Sequence, residues 1–129
     1  SVHVEVPQDS DFVKCHEQAD LCERLINEKY NIQLVIHMDP IDTNSPAVKT
    51  AREAMTAELK KIDKNMSLHD FRMTPLSDKR TNLIFDAVIP PEYENRKEEL
   101  RQRISDAAKS IDKTYFCVIT FDIDFTGHN

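Results

Sequence analysis

Val2-His3-Val4-Glu5-Val6-Pro7 alternates apolar and polar residues and stops at a proline, the pattern of a half-buried strand. Its counterpart lies 83 residues downstream, where strand residues 83–89 run into Pro90-Pro91. Each proline is followed by a helical pattern and then by a strand that ends in aspartate, Asp39 in one case and Asp122 in the other. These two residues are again 83 apart, and no gap is needed between the anchors. A repeat of this kind decides the architecture.

Working outward, Asp9, Ser10 and Asp11 offer N-cap chemistry for a helix that runs to about Lys29. Phe12, Cys15, Ala19, Cys22 and Ile26 follow helical spacing and predict one buried stripe. Residues 33–39 read as the second strand, closed by Pro40, so residues 1–44 form a β-α-β unit with parallel strands and a right-handed crossover. Ser45 is placed to cap the next helix, with Pro46 at its first position, where the missing N–H costs nothing. That helix reaches about Ile62 and buries Val48, Ala51, Met55, Leu59 and Ile62. Strands at 68–74 and 83–89 follow, joined by a polar loop at 75–80. Pro90-Pro91 opens a helix burying Tyr93, Leu100, Ile104, Ala107 and Ile111, and residues 116–123 form the last strand. The second copy, 45–129, is therefore complete as α-β-β-α-β, while the first lacks its leading helix and strand. The fold class is α+β. A bare β-α-β with an open edge is poorly stable, so sequence upstream of Ser1 is expected.

Composition narrows the function. With 129 residues, 40% hydrophobic and 31% charged, the chain suits one compact domain or two very small ones. A net charge of −6, with neither half basic, excludes nucleic acid as a partner and disfavours an anionic membrane surface. No apolar run approaches the roughly 20 residues that span a bilayer. Three cysteines, Cys15, Cys22 and Cys117, lack paired spacing and indicate a reducing compartment. The single glycine, Gly127, leaves none for a phosphate-cradling loop or a nucleophile elbow. No set of nucleophile, base and oxyanion donor assembles, so neither an enzyme nor a small-molecule substrate is expected.

Strand alternation sorts the first copy onto two faces. Val2, Val4 and Val6 share the helix side with Leu34, Ile36 and Met38. His3 and Glu5 point the other way, with Gln33, Val35, His37 and Asp39. Imidazole and carboxylate at i, i+2 can converge on one divalent ion, and Zn²⁺ accepts such nitrogen and oxygen sets; an exposed hydrogen-bonded pair is the plainer reading. His16 lies on the helix flank about 90° from the buried stripe. Cys15 and Cys22 fall on the apolar stripe and Cys117 alternates with Ile119 and Phe121, which favours small buried hydrophobes over soft-metal ligands. At the 83-residue offset His3 becomes Asp86, His16 becomes Glu99, His37 becomes Thr120, and Asp122 keeps the aspartate of Asp39. The histidines are thus dispensable for folding.

Val2 to Pro7, then His16, then Val35-Ile36-His37-Met38-Asp39-Pro40 resembles the C-terminal cytosolic domain of cation diffusion facilitators, the cation efflux transporters. Ser67-Leu68-His69-Asp70-Phe71-Arg72 looks like the strand that opens that domain. The resemblance implies ferredoxin-like, metallochaperone-like units in tandem, a homodimer on the cytoplasmic face of the membrane, and an upstream transmembrane domain in the same chain. It implies metal at His3, His16, His37 and Asp39. The family's opening-strand histidine matches only His69, in the copy lacking the other ligands. The expected role is a metal-binding, dimerising regulatory domain of a divalent-cation efflux transporter. Zinc is the first choice, with manganese, iron or cobalt accepted. A purely structural dimerisation domain with vestigial ligands is the alternative, and a free metallochaperone a third reading.

Overall fold

The computed structural model describes residues 1–125 of the chain. Gly127 lies outside the described residues. The chain divides into two compact units, Ser1–Ile41 and Asp42–Asn129.

In the first unit β1 (Val2–Pro7) and β2 (Ile36–Ile41) pair in parallel, and α1 (Phe12–Tyr30) is the crossover. Asp11 caps α1, its carboxylate accepting from the Lys14 N–H at 3.2 Å. Asn31 ends the helix in the left-handed region at φ 53°, a conformation asparagine tolerates. Strand β2 begins later than the expected residue 33 and continues through Pro40 to Ile41. The ladder starts where β1 supplies a partner, at Val2 and Ile36, and an edge strand tolerates the missing N–H of a proline. The stripe expected on α1 is only half realised. Cys15, Ala19 and Ile26 are half-buried, Cys22 is exposed, and Phe12 is 71% exposed. Two strands about 5 Å apart are too narrow to cover a helix of 19 residues.

In the second unit β3 (Ser67–Ser77), β4 (Arg80–Ile89) and β5 (Tyr115–Ile123) form one sheet with β4 in the centre, antiparallel to β3 and parallel to β5. Helix α2 (Pro46–Ile62) carries the expected Ser45 cap, whose hydroxyl accepts from the Val48 N–H at 3.3 Å. It buries Val48, Ala51, Met55 and Leu59, and Ile62 packs partly buried against the same core. On β4, Leu83, Phe85, Ala87 and Ile89 are buried and the alternate residues face away. The polar loop expected at 75–80 shrinks to a turn, because Pro75 and Ser77 still pair with Thr81 and Arg80 across a bulge. Pro91–Arg96 is a short 3₁₀ helix that leads into α3 (Lys97–Ile111). Within α3 Ala108 is buried with Leu100 and Ile104, four residues apart on one face, while Ala107 is half-buried and Ile111 exposed. Tyr93 is buried as expected and its hydroxyl donates to Asp63 at 3.1 Å.

The architecture is α+β, in βαβ-type units compatible with a ferredoxin-like fold. Partners in both parallel ladders are 34 residues apart, Val2 with Ile36 and Phe85 with Ile119, and these pairs are related by the same 83-residue offset.

Candidate metal centre

Parallel pairing sets His3 beside His37 and Glu5 beside Asp39 on one face of the first unit. The two imidazole rings stack with centroids 5.0 Å apart and planes 24° from parallel. Asp39 reaches diagonally to His3, with its Oδ2 3.1 Å and its Oδ1 3.4 Å from Nδ1. The side chains of His3 and Asp39 are 65% and 42% exposed, so both can turn toward an arriving ion. With a proton on Nδ1, His3 donates to the carboxylate and presents Nε2 as a free nitrogen donor, the arrangement that orients histidine toward metals. This donor set, imidazole nitrogen with carboxylate oxygen, fits a divalent first-row ion.

His16 is placed differently. It projects from α1 with its ring stacked on Phe12 at 6.2 Å. Among the described residues no group of three or more His, Cys, Asp or Glu side chains is already gathered to hold an ion. The structure therefore brings His3 together with His37 and with Asp39, while His16 stacks on Phe12 within α1. Glu5 shares the face of these residues, and alternation alone gave it no role. The 34-residue register sets it opposite Asp39.

The second unit has a different character at the same positions. Asp86 sits opposite His69 in the β3–β4 ladder, beside a bulge where Asp70 takes φ 54°. Burial raises the Asp86 carboxyl above its ordinary range, helped by its hydrogen bond with Asp70 and the charge of Asp122. His69 Nε2 lies 3.2 Å from the Ser67 hydroxyl. The three cysteines are free. Cys117 is half-buried, and burial pushes its thiol up to about 11, which makes it a poor nucleophile. Exposed Cys22 does not fill the buried role its spacing suggested, since the narrow sheet leaves its side of α1 open.

Residues 1–41 match the family model of the cation efflux protein, cytoplasmic domain. The cation efflux match coincides with the first compact unit and includes all four expected ligands. No curated protein and no solved structure matches the chain. Among the described residues, no helix is long and apolar enough to cross a membrane.

Proposed function

We propose that this chain contributes a metal-responsive, dimerising cytoplasmic module to a divalent-cation efflux transporter. The observation that carries this reading is the coincidence of the cation efflux match with the contact between His3 and Asp39 beside a stacked His37. His3, His37 and Asp39 would hold the ion on the open face of β1 and β2, and His16 would join from α1 if the helix flank turns inward. A bound divalent ion supplies positive charge there. Zinc suits the nitrogen and oxygen set best, and manganese, iron or cobalt would also be accepted.

The residues do their part through charge. Asp39 keeps a negative face on each copy, and like faces repel when two copies approach. Neutralising that face favours the paired arrangement, and a bias of this kind requires the ion to bind one arrangement better than the other. Connected to an upstream transmembrane domain, such pairing would set the transporter's working state. A purely structural dimerisation module is the second reading, favoured by the lack of any ready-gathered group of three donors among the described residues.

Calorimetry and sedimentation of the 129-residue chain with Zn²⁺, Mn²⁺, Fe²⁺ or Co²⁺ test the proposal. Micromolar binding with a shift toward dimer is expected, and both should be lost in the His37→Ala, Asp39→Ala double variant. Absence of binding at micromolar metal overturns the metal role and leaves the structural one.

A further inference from the structure

Helix α1 carries apolar residues on two sides. Cys15, Ala19 and Cys22 turn toward Val4, Ile36 and Met38 of the strands. Leu21 and Leu25 do not: by the 3.6-residue period they lie on the outer side of the helix, 48% and 55% exposed. They belong to the line Lys14, Gln18, Leu21, Leu25 and Glu28, whose spacing alternates between four and three, the pattern of helices that pair side by side. The second unit shows how such a stripe is covered. At the 83-residue offset Leu21 and Leu25 correspond to Ile104 and Ala108, fully buried in the core that α2 and α3 share. Among the described residues of Ser1–Ile41, α1 is the one helix, and its outer stripe stays exposed.

Charge selects the partner and its direction. With two copies of α1 antiparallel, the register that sets Leu21 against Leu25 of the second copy gathers four leucines. The same register sets Glu17 against Lys29 of the second copy, once at each end of the leucine cluster. A parallel pair would instead stack Lys14, Glu17 and Glu28 on their own counterparts, like on like.

We propose that the outer stripe of α1 is a self-association surface that packs antiparallel on the same helix of a second copy, with Leu21 and Leu25 at its centre and Glu17–Lys29 ion pairs at its ends. This contact goes beyond the metal reading above. It lies on the far side of α1 from the strand face of His3 and Asp39, so it needs no cation. Four leucines make a small interface, and the free chain should pair weakly.

Sedimentation equilibrium of the full chain in EDTA, at roughly 10 to 500 μM, tests this. A dimer that grows with concentration is expected. Leu21→Lys with Leu25→Lys should raise its dissociation constant about tenfold or more. Both positions are exposed, so the circular dichroism of the variant should match wild type. Glu17→Lys should weaken pairing about threefold, and adding Lys29→Glu should restore it. A dimer that survives both lysines, or one that the charge exchange fails to restore, overturns the α1 surface and leaves the metal reading untouched. A wild-type chain that stays monomeric in EDTA at the top of that range also overturns it, and passes the stripe to a helix of another segment or protein. Pairing that appears only with Zn²⁺ overturns it too, in favour of contact through the metal face.

Discussion

Position 86 shows how one residue separates the two units. At the offset that relates the parallel ladders it corresponds to His3, yet it is an aspartate whose carboxyl is raised by burial, by its hydrogen bond with Asp70 and by Asp122. Arg72 opposes the shift without cancelling it. A raised carboxyl holds its proton in the folded state at pH values where the unfolded chain has released it. Its stabilising contribution is therefore complete below the ordinary aspartate range near pH ~4 and is lost as pH rises through the higher folded value. Asp86→Asn keeps a hydrogen-bond donor toward Asp70 and removes the titration. The substitution should raise the melting temperature at pH 7 and flatten its decline between pH ~4 and ~7, read by circular dichroism across that range. A lower melting temperature at pH 7, or an unchanged slope, would show that Asp86 is not held protonated. Cys117 shows the same effect of burial, since a thiol pushed up to about 11 stays neutral and unreactive beside its apolar neighbours.

Among the elements, α2 is the one whose chemistry the sequence states most fully. Ser45 caps it, Pro46 begins it, and Val48, Ala51, Met55 and Leu59 form its buried stripe. Ser45→Ala removes the acceptor for the Val48 N–H and should cost about 1 kcal/mol, seen as a lower urea midpoint for the second unit. A midpoint equal to wild type would mean that water or the chain's own carbonyls replace the hydroxyl. Caps, prolines and alternation are local, so the order of elements and the shared face of His3, His37 and Asp39 were legible before any coordinates. Three features were not. The start of β2 depends on where β1 can pair, and whether Ala107 or Ala108 is buried depends on how α3 rolls against its sheet. The place of His16 depends on how α1 rolls over the strands, which its own periodicity does not specify.

At the scale of the whole molecule the division of apolar burial is uneven. Of the 17 buried hydrophobic residues among those described, only Ile41 belongs to Ser1–Ile41. Nine of the 13 exposed large hydrophobics lie there, among them Val2, Val4, Leu21 and Leu25. At the 83-residue offset Val4 corresponds to Ala87 and Leu21 to Ile104, both fully buried in the second unit. Units of about 40 residues seldom bury enough apolar surface to be stable unless metal or assembly supplements them. The first unit should thus open far more often than the second, since local opening follows the density of buried contacts. Native-state hydrogen exchange of the full chain, followed residue by residue by NMR, measures this. Amides of β1, α1 and β2 should exchange orders of magnitude faster than those of β4, α2 and α3. Zn²⁺ at about 100 times its dissociation constant should then slow exchange in β1 and β2 by a factor near 100, because ligand that binds only the folded form stabilises it by about 2.7 kcal/mol. The second unit should not respond, as the corresponding positions there carry Asp86, Thr120 and Asp122 in place of His3, His37 and Asp39. Equal protection of both units without metal would contradict the uneven core. A metal response in the second unit would move the site away from the face on which His3 meets Asp39.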